Sequence, residues 1–317
     1  MAGTIGTKAL QKLAEKAGAA GWLTATEIRA ANATLRALEK DYNDRHAPAT
    51  RPPDPPVTAQ SIFHQPGWMA VRFDALPPPV ELAAAGVRWT AAILSHGVDG
   101  NGGHSLDTDD RENQAWLAAG KAKPYRDAGI KVGGWGWHQG VHPEREAQVA
   151  PIYVASWKLD LWIANGEEAW KGNDQPEQFA YTLDDELKRI MTEPVRRAFP
   201  IAWSVLGAAS GQNVYPFDYK AFTSRGWHIL AQAYPQESAD YKLSLCVDHA
   251  IRAGIPLGLF HSTIANYRPV RPQAFQPTMQ EWQNELREAK ARGVVGFSVW
   301  AHDFQVAQVK ALTESVA

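Results

Sequence analysis

The sequence predicts an α/β fold, a (β/α)8 TIM barrel preceded by an N-terminal helical hairpin and a proline-rich linker. Three observations carry that expectation. From Trp68 onward, short apolar runs alternate regularly with amphipathic stretches, and eight such units in about 250 residues match the count and size of a (β/α)8 barrel. Glycine repeatedly closes a helical stretch directly before an apolar run, at Ala85-Gly86, Ala128-Gly129, Arg225-Gly226, Ala253-Gly254 and Arg292-Gly293. That is a helix C-cap glycine feeding a strand. Finally, Asp74-Ala-Leu-Pro-Pro-Pro follows the first strand where a nucleotide-binding sheet would carry a Gly-rich turn, which puts a doubly wound open sheet second.

Taken in order, residues 1–45 read as a helical attachment segment. Thr7 to Ala17 has helical spacing, with Leu10, Leu13 and Ala14 on one face. Thr24-Ala-Thr-Glu27 reads as a capping box opening a second helix through Tyr42, with Ile28, Ala31, Leu35 and Leu38 as its apolar stripe. Neither helix has enough apolar surface for a core of its own. Residues 46–60, beginning His46-Ala-Pro-Ala-Thr-Arg-Pro-Pro-Asp-Pro-Pro, read as a stiff, extended linker. The barrel domain is then 61–317. Its strands are expected at Met69–Phe73, Val87–Leu94, Ile130–Trp137, Leu161–Ala164, Ile201–Leu206, His228–Ala233, Pro256–Phe260 and Val294–Trp300. The clearest helices between them are Asp109–Ala128, Pro143–Lys158, Gln178–Ala198, Ala239–Ala253 and Thr278–Arg292.

Composition excludes several function classes. The chain has 317 residues, 45% of them hydrophobic, and a net charge of −2, so it can bury a sizeable core. Acidic and basic residues are mixed along it, and no basic footprint points to nucleic acid. No apolar run approaches the ~20 residues that span a bilayer, and no signal-peptide pattern opens the chain. The expectation is a soluble protein with no membrane partner, cytoplasmic in the producing cell or associated with a virion. Cys246 is the only cysteine, which rules out an intramolecular disulfide; its apolar surroundings make it a buried structural thiol. Thirteen tryptophans are the unusual number. Several must pack the core, but a row of indoles around a barrel mouth also suits ring-shaped polar ligands such as sugars.

In a barrel of parallel strands, catalytic side chains collect just past the strand ends. The polar and aromatic residues expected there are Asp74, His96 and Asp99, Trp135 with Trp137 and His138, Asn165 and Glu167, Gln232 and Tyr234, His261, and Trp300 with His302 and Asp303. No Gly-x-Ser-x-Gly elbow offers a serine nucleophile. His138-x-x-x-His142 has helical spacing for a metal pair, but Pro143 follows and no Glu lies between, so loop histidines are the reading and no metal is expected. Asp99-Gly-Asn101-Gly-Gly-His-Ser105-Leu-Asp107 alternates oxygen side chains like a calcium loop, yet His104 replaces the glycine such a loop needs for its turn, and a mobile mouth loop is preferred. No cofactor is expected. Glycoside hydrolysis needs a carboxylic acid to protonate the leaving oxygen and a second group for the opposite face. Glu167, after the apolar run Leu161–Ala164, is the candidate acid, because indoles such as Trp162 and Trp170 would raise its pKa. Strand alternation puts Asn165 and Glu167 on one face and Glu168 on the other. Asp74 and Asp303 are the supporting carboxylates. Asn165, Trp135, Trp137, Gln232, Tyr234, His261 and Trp300 are the expected sugar-binding residues.

The motifs Asn165-Gly166-Glu167, Ile229-Leu-Ala-Gln-Ala-Tyr234 and Phe297-Ser-Val-Trp300 resemble the strand ends of glycoside hydrolase-type barrels. The nearest resemblance is to the family 25 lysozymes and the related barrels of bacteriophage tail and lysis proteins, over residues 68 to 305. That resemblance implies the acid role for Glu167 and a first-strand Asp at Asp74. It departs at Asn165, where the family carries Asp: an amide orients a water or an N-acetyl group but cannot supply charge. The family 5-like pattern of a second Glu after strand seven is missing as well, since Phe260-His261-Ser262 stands there.

Two functions stay open at this point. One is a glycosidase acting on a cell-wall or surface polysaccharide. The other is a non-catalytic virion or receptor-binding protein whose barrel binds glycan, held to a virion or other assembly partner through residues 1–60. Metal-dependent hydrolysis by a histidine-rich barrel ranks behind both.

Overall fold

The computed structural model describes residues 61–95, 110–138, 143–166, 176–206, 219–233, 243–265, 277–300 and 304–317, together with Thr24. The chain divides between Ala59 and Gln60 into two units. Within the second unit, eight parallel strands close into a barrel in chain order. They are β1 Gly67–Ala70, β2 Trp89–Ser95, β3 Lys131–His138, β4 Trp162–Gly166, β5 Ile201–Leu206, β6 His228–Ala233, β7 Phe260–Ile264 and β8 Gly296–Trp300. β8 returns to β1 through Gly67↔Ser298 and Met69↔Trp300. The helices packed around them are α1 Pro79–Ala84, α2 Arg111–Ala118, α3 Lys123–Asp127, α4 Pro143–Ala147, α5 Val149–Trp157, α6 Pro176–Ile190, α7 Glu193–Ala198, α8 Lys220–Thr223, α9 Leu243–Arg252, α10 Met279–Ala291 and α11 Val306–Val316. Among the described residues, no helix is long and apolar enough to cross a membrane.

Local chemistry sets the boundaries. α10 starts with a capping box in which Thr278 Oγ1 accepts from Glu281 N and the Glu281 carboxylate accepts from Thr278 N. It buries Trp282, Leu286 and Ala289 on one face. The glycines that close helices before β2, β3, β6, β7 and β8 all have positive φ, from +70° at Gly254 to +102° at Gly293, a left-handed cap that a Cβ would oppose. Three stretches expected as single helices are pairs. Gly120, at φ +71°, separates α2 from α3, which restarts on Pro124 in its first turn, and Pro194 in the first turn of α7 likewise separates it from α6. The stretch from Pro143 is also two helices, α4 and α5.

Two strands lie out of the expected frame, and both shifts move candidate site residues. β1 ends at Ala70 because Asn113 of α2 takes over the next backbone groups. Its Nδ2 donates to Val71 O at 2.7 Å and Ile93 O at 2.8 Å, and its Oδ1 accepts from Phe73 N at 2.7 Å. β7 begins at Phe260, not four residues earlier. The apolar stretch Pro256-Leu-Gly-Leu closes a 3₁₀ turn, with Leu259 N donating to Pro256 O at 2.8 Å. The strand that follows is the polar run His261-Ser262-Thr263.

Alternation separates two cores. Outward side chains of the sheet, including Trp68, Trp162 and Trp203, pack under the helices; there Trp203 stacks on Phe222 with centroids 4.4 Å apart and an interplanar angle of 12°. Inward side chains, including Met69, Trp89, Trp135, Leu161 and Leu230, fill the barrel together with Phe63. Several of the tryptophans are therefore ordinary core.

Candidate functional site

The lower end of the barrel is closed by a 3₁₀ turn, Ile62–His64, whose N-cap Ser61 accepts from Phe63 N. Phe63 inserts against Trp89 and His228, with centroids at 5.4 Å and 5.3 Å. The Trp89 indole donates to Gln65 O at 3.0 Å and lies across Gly67, where a Cβ would come within 2.0 Å of it. His261 belongs to this floor. Its Nδ1 is 2.7 Å from Phe63 O and its Nε2 is 3.0 Å from Ser298 Oγ. A carbonyl only accepts, so Nδ1 carries the proton and Nε2 accepts from Ser298. Ser298 Oγ then accepts from Thr263, 2.9 Å away. The ring is neutral and both nitrogens are used. Burial, chiefly, pushes the His261 and His228 imidazoles down to about 3. This corrects the placing of His261 at the mouth: it is the second residue of β7, because the strand starts later than its apolar prefix suggested.

At the opposite end the lumen has two unlike walls. One is indole. Trp135 and Trp137 both face inward from β3, as alternation requires, because the outward glycines between and before them leave room for neighbouring side chains: a Cβ on Gly136 would fall 2.9 Å from the Trp162 indole, and one on Gly134 would fall 2.4 Å from Leu94. Trp135 donates to Ala70 O at 3.0 Å and meets Trp300 of β8 with centroids 5.7 Å apart. Trp137 is 39% exposed while Trp135 is 7%, so the outer indole presents a solvent-facing surface on a buried base.

The other wall is neutral and polar. Asn165 of β4 is in register with Trp137 on one side and Ser204 on the other. Gln232 of β6 reaches across, its Nε2 donating to Asn165 Oδ1 at 2.7 Å and to Ser204 Oγ at 3.0 Å. All three are buried. Ser204 was not among the candidates; its signal was a lone hydroxyl at an inward position of the apolar run Ile201-Ala-Trp-Ser-Val-Leu.

Among the described residues, no carboxylate belongs to this arrangement. None of the eight strands contains Asp or Glu. Asp74 follows β1 in a 3₁₀ turn, its side chain 53% exposed. Arg72 bonds both of its oxygens, at 2.9 Å and 2.7 Å, and that bond holds the carboxyl below the usual carboxylate range. Its expected place at the end of the first strand is corrected with the strand: Ala70 is the last strand residue, and Asp74 is engaged at the surface. Glu167, Tyr234 and Asp303, with His96, Asp99, His142 and His302, lie outside the described residues. His138 faces outward from the end of β3, buried with Glu146, Nδ1 to Oε2 3.8 Å, and burial pushes it down to about 3. Among the described residues, no three His, Cys, Asp or Glu side chains converge to hold a metal ion. Cys246 is buried as expected, its thiol pushed up to about 12 mainly by burial.

Neither a protein-family model nor a curated protein matches the sequence. Solved structures do resemble the fold. A GH18 chitinase from Pseudoalteromonas aurantia has 13% identity and a TM-score of 0.54, covering 78% of this chain and 99% of that one. The chitinase-like agglutinin RobpsCRA from Robinia pseudoacacia has 10% identity and a TM-score of 0.61, with 80% and 99% covered. A class V chitinase from Nicotiana tobaccum has 12% identity and a TM-score of 0.58, with 80% and 98% covered; a mutant of it is solved in complex with NAG4. These likenesses show that the chain shares its barrel fold with chitinase and chitinase-like structures. They give no support to the finer resemblance to family 25 lysozymes or phage tail proteins.

Proposed function

We propose that the mouth of this barrel binds a polymer of neutral N-acetylated sugars, and that Glu167 is the general acid where it hydrolyses one. The observation that carries the binding reading is the pair of unlike walls that adjoin where Trp137 and Asn165 are in register. An indole wall of Trp135, Trp137 and Trp300 offers flat surface to a sugar ring, and a wall of Asn165, Ser204 and Gln232 offers hydrogen bonds to its edge. The complex of a structurally similar chitinase with NAG4 supports the ligand class. For hydrolysis, the strands supply no carboxylate, and Asp74 is occupied by Arg72. Glu167 follows β4 directly, with Asp303 as the other candidate. A single acid suffices for glycosidases in which the substrate assists its own cleavage, as family 18 enzymes do. The likeness to an agglutinin as well as to chitinases supports keeping binding and cleavage as separate questions.

Chitin tetrasaccharide binding by calorimetry, together with product release by mass spectrometry, tests both. Glu167→Gln should lower hydrolysis by the ~10²–10⁴ of general acid catalysis and leave affinity within a few-fold, while Glu168→Gln changes neither. Binding without cleavage by the unmodified protein leaves a glycan-binding barrel. Absence of binding to chitin oligosaccharides overturns the proposal. We read residues 1–60 as the segment that ties the barrel to an assembly, virion or other, on the strength of the proline-rich stretch and the division of the chain after Ala59.

A further inference from the structure

The floor of the barrel is closed by a segment of chain that belongs to no strand. The 3₁₀ turn Ile62–His64 presses directly on the start of β8, where a Cβ on Gly296 would collide with Phe63 O and lie 3.1 Å from the His64 carbonyl carbon. The turn and the residues after it are tied to the barrel through the bond from His261 Nδ1 to Phe63 O, through Trp89 donating to Gln65 O at 3.0 Å, and through Arg88 N donating to Pro66 O at 2.9 Å. Two imidazoles of unlike condition stand against it. His261 has both ring nitrogens bonded, to Phe63 O and to Ser298. His228 packs on the Phe63 ring and on the His64 ring, with centroids 5.3 Å away in each case. Its Nε2 is buried and has no hydrogen-bond partner among the described residues.

We infer that the turn Ile62–His64 is an acid-released plug: protonation of His228 unseats Phe63 from the floor while the eight strands stay closed, and so frees the stretch that joins the barrel to the unit ending at Ala59. A neutral imidazole carries one N–H and one lone pair, so it can leave Nε2 as a bare acceptor, whereas the imidazolium carries two donors and a charge. At His228 that second donor would be buried without an acceptor, against a phenyl ring and another imidazole. Moving the turn away opens the nitrogen to water, and no strand has to part. The groups around it give no relief. His64 on the turn and His261 on β7 are themselves bases, lowered chiefly by burial. Arg88, just ahead of β2, points its guanidinium at Ala83 O and Val87 O. Lys131 of β3, in register with Trp89, pairs with Asp160 at 3.5 Å. Among the described residues, no carboxylate acts on any of the three imidazoles. His228 is the trigger and His261 the hold, because protonating His261 must also displace the Ser298 hydroxyl from its Nε2. Burial keeps His228 down to about 3 while the turn is seated, so the seated state loses about tenfold of its advantage for each pH unit below the ordinary histidine value of 6.5.

Hydrogen exchange of the full chain, read by mass spectrometry and corrected for the intrinsic effect of pH, separates release of the plug from unfolding of the barrel. The amides of His64 and Gln65 are bonded within the turn, to Ser61 O and Ile62 O. They should exchange about thirtyfold faster at pH 5 than at pH 7, the tenfold per pH unit accumulated from 6.5 down to 5, while the amides of β2 to β6 keep their protection. His228→Phe keeps a flat ring in the floor but cannot take a proton, and should remove the acceleration. His228→Asn, smaller and equally unable to take the charge, should remove it as well and covers the case in which the phenyl variant fails to fold. Equal acceleration in the turn and in the strands would mean that the barrel opens as a whole, which overturns the plug. No acceleration in the unmodified protein, or an acceleration that survives in a folded His228 variant, overturns it too.

Discussion

At the floor of the barrel, Phe63, Trp89, His228 and His261 fill the lumen, and the His261–Ser298–Thr263 chain runs between neighbouring strands and ends on a backbone carbonyl. At the mouth, inward positions of the same sheet carry indoles on one side and amides and a hydroxyl on the other, with Trp137 open to solvent. Among the described residues both ends are neutral, and both are hydrogen-bonded. They differ in what closes them: the floor has a chain segment seated in it, whereas the mouth sets an aromatic wall against a polar wall. A barrel can thus spend one end on stability and hold the other for recognition, without any strand being dedicated to either task.

Breaking the floor should cost most. Trp89→Ala removes a fully buried indole and should destabilise by about 3–5 kcal/mol, the range for large aromatic truncations, measurable by urea denaturation. Gly67→Ala should also destabilise, since its Cβ would sit 2.0 Å from the Trp89 ring. Chitin tetrasaccharide affinity of the folded fraction should stay within about twofold in both. A large loss of affinity would mean that the two ends are not independent.

Acidity sharpens the same contrast. Burial, chiefly, holds His138, His228 and His261 down to about 3, against the ordinary histidine value of 6.5. Between those values the unfolded chain binds protons that the folded chain does not. Their contribution is therefore intact above the unfolded value, and stability falls as pH drops below 6.5 and continues to fall towards 3. Each histidine adds about 1.4 kcal/mol per pH unit to that slope. The groups facing the floor pair are His64, the Phe63 ring and carbonyl, and Ser298, none of them an acid that would offset the charge. Urea midpoints between pH 7 and pH 5 should fall steeply, and His228→Phe should flatten the slope by one proton.

At the mouth, Trp137→Ala should weaken binding of chitin tetrasaccharide by about 1–3 kcal/mol while changing stability by under about 0.5 kcal/mol, because the indole is partly in water already. Equal losses in both measurements would return Trp137 to the core. The smallest effect is expected from removing Met1–Ala59: the remaining chain should melt in a single cooperative transition. If it fails to fold, the segment is part of the barrel and not an attachment.

Much of the barrel was written in its local sequence. Helix-closing glycines, proline restarts and the Thr278–Glu281 box act within a few residues, so eight strand–helix units could be counted before any contact was known. The inward facing of Trp135, Trp137 and Asn165 likewise follows from alternation along one strand. Strand frame was decided elsewhere. β1 stops where Asn113, some forty residues later, takes the Val71 carbonyl and the Phe73 N–H, and β7 starts only after an apolar turn that looked like the strand itself. Those two shifts sent His261 to the floor and Asp74 to an arginine. Ser204 and the bridge from Gln232 to Asn165 depend on three strands being neighbours in one closed sheet. Hydrogen bonds between residues 28 and 67 positions apart leave no periodicity in the chain, because their cost and their benefit are both settled only when the barrel closes.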